Sequence, residues 1–447
     1  MRKGVAGPRG GPAHPCLRAV AGSLALLLAL TPVAADARIP SSYKAVRAEV
    51  VTWQQYRVQP LWIDEGRLRP EARQLVALVR SARIDGLDPK NYRVGSLQDA
   101  VEDAERGNPR DLARADLMLS QALVALSRDM RDLRSKEMNY VDRAAIPTLS
   151  STGLLLTAAA KAPSFGDFLE TMPWMHPAYA RLREAALNTV EPRQAHILRV
   201  NMERARALPG ALQGGRYVLV DSAAARLYMV EDGVVQGTMK VVVGRLDNQT
   251  PMMAGVLRYA ILNPYWNVPP DLAATRLAPR IVSDGLSYLK KERYEVLSDW
   301  GDKPRVVDPR KIDWKAAVAG KLPDLRLRQL PGPGNSMGKM KFMFPNDLGI
   351  YLHDTDDRSL FAEPARMRSG GCIRLQNAKG LARWLFGKPL VATSTKPEQK
   401  VAVPTPVPVY VTYLTAAPED GKIAYRDDFY GRDGYGVRGT PLQTAAR

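Results

Sequence analysis

The hydrophobic period changes once along this 447-residue chain, near Gly214, so a purely helical or purely β fold is excluded. Before that point apolar residues recur at helical spacing. Pro70 can open a helix at its first position, Ala72, Leu75, Val76, Val79 and Ala82 share one face, and Asp85-Gly86 ends it. The spacing predicts a longer helix over 111–130, with Leu112, Leu119, Leu123, Leu126 and Met130 on one face, and two more over about 178–187 and 193–208. After Gly214 the period is two. RYVLVD, RLYMVED, VVQGTMKVVVG, VLRYAIL, KMKFMF, GIYLH and VPVYVTYLT read as strands, and Asp232-Gly233 as a hairpin turn. Short strands with tight turns point to a mixed β-sandwich rather than βαβ units, hence an α+β chain. The expected organisation is a helical domain over 38–213 and a β-rich domain over 214–415. The latter is interrupted at about 271–330 by a helix-like LAATRLAPRIV and a charged stretch. A C-terminal extension follows over 416–447, its last dozen residues expected to be disordered.

The first 37 residues read as a secretory signal. Arg2, Lys3, Arg9 and Arg18 precede an apolar run over 19–30, and Ala35-Asp36-Ala37 suits cleavage. That run is shorter than the ~20 residues of a membrane span. The formal net charge is +18. No nucleic-acid motif or aromatic-interleaved basic cluster accompanies it, which leaves an anionic wall polymer, a membrane surface or plain solvation as its meaning. Cys16 falls within the leader, so the exported chain holds one cysteine and no disulfide. No spacing of Cys, His, Asp or Glu suggests a metal, and no cofactor motif is present.

The remaining cysteine, Cys372, lies in GIYLHDTDDRSLFAEPARMRSGGCIRLQN over 349–377, and of the four histidines only His353 is near it. A thiolate is a strong nucleophile near neutral pH when a base or positive field favours it. Gly370 and Gly371 permit a tight turn, from which the Gly371 and Cys372 amides could face a developing oxyanion. IYLH reads as a strand ending at the histidine. IRLQNAKGLARWLF reads as a helix with Leu381, Trp384 and Leu385 on one side, which puts Cys372 at a loop-to-helix junction. A buried, inert thiol beside a strand histidine is the alternative.

His353 followed by Ser369-Gly370-Gly371-Cys372-Ile373-Arg374 resembles the signature of the L,D-transpeptidases, the YkuD-type catalytic domain. Gly370 stands where a His is commoner and Arg374 where many members have Asn; the large YcbB-like subfamily accommodates both. GRLDNQTP (244–251), NPYWNVPP (263–270), QLPGPGNSMGKMKFMFPN (329–346) and VPVYVTYLT (407–415) resemble further blocks of that subfamily. PLWIDEGRL (60–68) and DGLDPKNY (85–92) resemble its helical scaffold. Trp266, Asn335 and Asn346 lie in these blocks and are expected to shape the fold. The resemblance implies that the 271–330 insertion is a lid over the donor site. It also implies that the tail completes the sheet, and that a peptidoglycan-binding module found in many relatives is missing here.

For function, the resemblance implies a periplasmic enzyme in which Cys372 forms a thioester with a tetrapeptide donor stem, releasing D-Ala, with His353 as base and acid. An acceptor stem amine then resolves the thioester into a direct diaminopimelate–diaminopimelate cross-link. It implies acylation by carbapenems. It also implies that a backbone carbonyl beside the histidine completes the catalytic set; Asp354 offers its carbonyl, with its carboxylate as rival. Tyr351 either lines the oxyanion or donor site or packs. Ser369 either orients His353 or fixes the loop. Arg374 either binds a substrate carboxylate or forms a structural salt bridge. Water as acceptor would make the enzyme an L,D-carboxypeptidase, and an outer-membrane protein as acceptor would make it a wall-attachment enzyme. A non-catalytic wall-binding scaffold is the remaining class.

Overall fold

The computed structural model describes residues 42–132, 137–148 and 150–434; the expected signal peptide and the last residues of the tail lie outside the described residues. The first part is helical: α1 (Arg47–Tyr56), α2 (Glu71–Arg80), α3 (Val94–Ala104), α4 (Pro109–Arg131), α5 (Thr152–Lys161), α6 (Phe165–Thr171), α7 (Pro177–Asn188) and α8 (Pro192–Arg206). Two short strands, β1 (Ile63–Asp64) and β2 (Arg67–Leu68), pair with each other after α1. Helix α4 starts where a helix should: Asn108 accepts from the Arg110 amide and Pro109 takes the first turn. Its buried face carries the periodic leucines, around which the other helices pack. Trp62 is fully buried against it, donating from its indole to Ser120 at 3.0 Å and from its backbone to Asp116 at 3.1 Å. The four expected helices are α2, α4, α7 and α8. The others carry weaker patterns; α5, for example, reads TGLLLTAAAK, apolar nearly all round and without a period to detect.

The helical part also supplies a strand. β3 (Asn139–Tyr140) pairs in parallel with β7 (Met253–Leu262), so the sheet of the second part begins in the first. The remaining strands of that sheet are β4 (Arg216–Asp221), β5 (Arg226–Glu231), β6 (Val234–Gly244), β12 (Met340–Met343), β13 (Leu352–His353), β14 (Met367–Ser369), β15 (Ile373–Leu375) and β16 (Gln399–Thr412). Pairing runs β12-β13-β15-β6-β5-β4-β16-β7, and β7 pairs again with β12. The two layers of the expected sandwich are therefore one sheet closed on itself, which removes exposed edges. Inside lie Val218, Leu227, Val241, Leu257, Phe342, Leu352, Ile373 and Val409, capped by Leu381 and Leu385 of α13 (Ala378–Phe386). Outside, Tyr217, Leu219, Val256, Tyr410 and Tyr413 pack with Ala207 and Leu208, which follow α8.

The insertion is larger than its sequence pattern indicates. It begins at β8 (Trp266–Val268) and carries α9 (Pro270–Leu272), a π-helical turn over Ala273–Leu277, α10 (Ala278–Asp284), α11 (Ser287–Lys291), β9 (Tyr294–Leu297), β10 (Val306–Val307), α12 (Trp314–Val318) and β11 (Arg326–Gln329). Its four strands form a sheet in the order β10-β9-β11-β8 over a core of Trp266, Val268, Leu277, Ile281, Val296 and Leu327. Asn335, fully buried, donates to the carbonyls of Pro264 and Leu330 and accepts from the Met337 amide, fastening both ends of the lid together. Asn346 does the same for the 344–350 turn, donating to Phe344 and Ile350 carbonyls.

Two expectations need correction. The tail does not complete the main sheet: β17 (Ala416–Glu419) and β18 (Lys422–Tyr425) form a separate hairpin, with Ala416 in the helical core. And 373–375 is strand, not helix; the helix begins only at Ala378, after Asn377 caps it through the Gly380 amide. The β-branched Ile373 and the buried alternation of IRL suit a strand between β13 and β6. Because Phe342 is fully buried where the sheet closes, Phe342→Ala is expected to cost about 3–5 kcal/mol. Urea denaturation would measure this as a lower midpoint.

Candidate active site

The parallel pairing of β13 and β15 brings the His353 and Cys372 segments side by side, with Leu352 opposite Ile373 and His353 opposite Arg374. Leu352 and Ile373 point into the closed sheet and are fully buried. Alternation then sends Tyr351, His353 and Arg374 to the other face, while Cys372, just before β15, is half-buried and also packs against the inner core. Cys372 falls beside Tyr351 and diagonal to His353.

His353 is 1% exposed. Its Nδ1 lies 2.6 Å from the Asp354 carbonyl oxygen. A carbonyl only accepts, so Nδ1 carries the hydrogen and the neutral ring keeps Nε2 as its base. The Asp354 carboxylate is occupied elsewhere, accepting from the Lys339 amide at 2.9 Å and pairing with Arg358 at 2.6 Å. Gly338, at φ +59°, leaves room for that carboxylate, since a Cβ there would come within 2.6 Å of it. Burial, then the charge of Arg374, pushes the imidazole down to about 3, with Lys341 adding to this and the Asp354 carbonyl opposing it.

Cys372 is only partly exposed, and its thiol donates to the Gly349 carbonyl at 3.4 Å. Burial raises the thiol to about 11, against the opposing pull of the Tyr351 N–H and O–H, Arg374 and Lys341. No helix begins at Cys372, so no helix dipole assists it. The resting pair is therefore a neutral thiol and a neutral imidazole. Tyr351 also stays protonated, its hydroxyl raised by burial and by the adjacent sulfur. Its ring meets His353 edge-on, 5.8 Å between centroids.

The Ser369–Cys372 turn differs from expectation at Gly371. Its amide donates to Ser369 Oγ at 3.2 Å, which leaves the Cys372 amide as the remaining donor for an oxyanion. Ser369, 2% exposed, thus fixes the turn; its carbonyl accepts from Arg245 at 3.0 Å. Gly371 sits at φ +111°, which side chains rarely adopt. Gly370 lies under the lid, where a Cβ would touch Leu272 at 3.4 Å. Arg374 makes no salt bridge among the described residues, and its Nε is buried without a partner. The structural role offered for it finds no support.

Sequence reasoning missed what holds this turn. Thr250 Oγ1 donates to the Gly371 carbonyl at 2.7 Å and accepts from the Gly244 amide at 2.8 Å. Tyr430 donates to the Gly244 carbonyl at 2.6 Å, and Arg432 to the Thr250 carbonyl at 2.9 Å. Asp433 then accepts from Arg204 of α8 at 2.7 Å. Thr250 falls in the GRLDNQTP block, which marks it as a candidate; Tyr430 lies 186 residues from Gly244 and has no local signal. Among the described residues no group of His, Cys, Asp and Glu could hold a metal ion.

Residues 215–411 match the L,D-transpeptidase catalytic domain, YkuD, and residues 52–185 match a scaffold domain. Over 391 residues the chain is 27% identical to a protein of Haemophilus influenzae that bears a provisional L,D-transpeptidase name, spanning 84% of this chain and 76% of that one. Among solved structures, it is similar to the Ldtfm–avibactam carbamoyl enzyme, at 14% identity over 45% of this chain, with a TM-score of 0.22. It is also similar to an L,D-transpeptidase from Mycobacterium smegmatis, at 15% identity over 46% of this chain, with a TM-score of 0.21. The chain spans 49% and 60% of those two chains.

Two outcomes are expected of this site. With the thiol raised to about 11, iodoacetamide labelling of Cys372 should keep accelerating as pH rises past the ordinary thiol range. A rate already level near neutrality would instead reveal a thiolate–imidazolium pair. Thr250→Val keeps the shape but leaves the buried Gly244 amide unanswered, so it should cost about 1–3 kcal/mol. Urea unfolding reads that loss, and a slower acylation of Cys372 would accompany it.

Proposed function

We propose that this chain is a periplasmic L,D-transpeptidase of the YcbB-like type, a cysteine acyltransferase that makes direct diaminopimelate–diaminopimelate cross-links in peptidoglycan. The observation that carries this reading is the parallel β13–β15 ladder, which sets His353 opposite Arg374 and so brings it to the strand that Cys372 leads into, with Nδ1–H committed to the Asp354 carbonyl. The match of 215–411 to the catalytic domain supports the reaction class. The apolar run before Ala37 supports export.

The chemistry follows from the resting geometry. When the donor stem enters, the Cys372 thiol turns from the Gly349 carbonyl and gives its proton to His353 Nε2. Sulfur attacks the carbonyl of the L-centre of diaminopimelate, forming the C–S bond. The oxyanion lies toward the Cys372 amide and the Tyr351 hydroxyl; a donor of this kind is worth about 2.7–4 kcal/mol in comparable sites. As the C–N bond breaks, His353 returns the proton to the departing D-Ala amine. The acceptor stem's amine then attacks the thioester, His353 takes its proton, and sulfur leaves to recover the thiol. Proton transfer during attack suits this site better than a standing thiolate, because burial disfavours both charged forms.

Wall binding falls to the remaining surface. α7 ends at Asn188 and α8 starts at Pro192, which leaves no room between them for a peptidoglycan-binding module. The basic balance of the chain suits an anionic polymer.

Mass spectrometry of the protein incubated with purified tetrapeptide muropeptides, beside Cys372→Ala, tests the reading. A cross-linked dimer lighter than two donors by one D-Ala, and absent with the variant, is expected. Tripeptide alone would make it an L,D-carboxypeptidase, or an enzyme whose acceptor is a protein. No acyl-enzyme and no product would favour a wall-binding scaffold.

A further inference from the structure

His353 stands between two cations. Lys341 of β12 is its partner across the antiparallel ladder, and Arg374 of β15 is its partner across the parallel one. The adjacent row, Phe342–Leu352–Ile373, is fully buried inside the closed sheet, so Lys341, His353 and Arg374 share the outer face. Directly opposed residues of an antiparallel pair hold their Cβ atoms about 4.5–5.5 Å apart. Lys341 Nζ lies 6.0 Å from the centre of the Tyr351 ring, the ring that meets His353 edge-on. A lysine only 8% exposed is uncommon unless a partner holds it. Glu398 does so: its Oε1 accepts from Lys341 at 3.4 Å and from the Tyr265 amide, at the root of the lid, at 2.7 Å. Glu398 adopts φ +56°, and its amide donates at 3.0 Å to Asn263, itself at φ +49°. Left-handed backbone at two residues other than glycine persists only where the surroundings impose it, and such strain gathers at functional sites.

A cation beside an imidazole opposes its protonation. The groups around the ring do not cancel that effect. Arg374 adds a second cation from β15, Tyr351 and Cys372 carry no charge at rest, and the Asp354 carboxylate is committed to the Lys339 amide and Arg358. Asp357, which acts on Arg374, is exposed and accepts from the Ser359 hydroxyl and amide. Lys341 therefore brings a repulsion that only the protonated ring feels. We propose that Lys341 is a positioning residue of the site: held by Glu398, its ammonium keeps the His353 imidazole unprotonated, so the base stays free when the surroundings turn acidic. The same charge makes the imidazolium formed during attack a stronger acid, quicker to return its proton to the departing amine. The proposal rests on His353 being the base and adds a residue from a strand that carries neither member of the pair.

Isotope labelling of histidine Cε1 gives one NMR resonance for each ring, and that of His353 is assigned by its loss in His353→Gln. Its titration midpoint, about 3 in the unaltered protein, should rise by at least about one pH unit in Lys341→Met, tenfold in proton affinity. Lys341→Arg, which restores the charge, should bring the midpoint back down. Lys161→Met, which removes an exposed lysine of α5, should leave it in place. Lys341→Gln, able to hydrogen-bond Glu398, gives the same rise should the methionine disturb the fold. With tetrapeptide muropeptides as substrate, the acid limb of kcat/KM should move with the midpoint. An unmoved midpoint in both neutral Lys341 variants overturns the proposal. So does an equal rise in Lys161→Met, or a moved midpoint with an unmoved acid limb. No turnover by the unaltered protein at any pH would instead sink the transpeptidase reading, and the midpoint alone would then decide whether Lys341 controls the ring.

Discussion

The site depends on one backbone pairing, the short parallel ladder between β13 and β15. It places Leu352 and Ile373 in the core of the closed sheet, and so forces their neighbours onto the outer face. Two buried aliphatic side chains thereby fix where His353 and Cys372, the proposed base and nucleophile, stand. A slip of one residue in this register would turn His353 inward and lose the site entirely. The closure of β7 onto β12 matters for the same reason, because β12 holds β13 from its other side.

The electrostatics around this ladder are those of a site at rest. Burial disfavours both the imidazolium and the thiolate, and the two nearby cations help the thiolate while opposing the imidazolium. The protein holds the imidazole in the useful tautomer with a backbone carbonyl, which adds no negative charge. A carboxylate in that place would favour the imidazolium and change the resting state. Here the Asp354 carboxylate is instead used for construction, at the Gly338–Lys339 turn and Arg358.

The active-site turn is tied to the helical part. From Gly371 the hydrogen bonds pass to Thr250, then to Tyr430 and Arg432, then through Asp433 to Arg204 of α8. Together with the strand that β3 lends to β7, this ties the helical part to the turn that carries Cys372. Most of the contacts in this chain of bonds join residues far apart in sequence, and they fix Gly371, at a φ that favours glycine, next to Cys372.

Much was legible without coordinates. The change of period at Gly214 separated helical from β-rich structure, and the nearness of Cys372 to His353 marked the candidate site, because local patterning and residue chemistry are properties of short segments. The SGGC turn was visible for the same reason. What the sequence could not decide is whatever depends on partners distant along the chain. IRL has too few residues to declare itself a strand, and becomes one only between β13 and β6. The Gly371 amide looks available until Ser369 takes it. Arg374 could have been a structural ion pair, and only tertiary packing shows that it forms none among the described residues and that its Nε is buried without a partner. Residue types and short-range spacing determine what chemistry is on offer; packing and desolvation, which sum over the whole fold, decide which groups are free to use it.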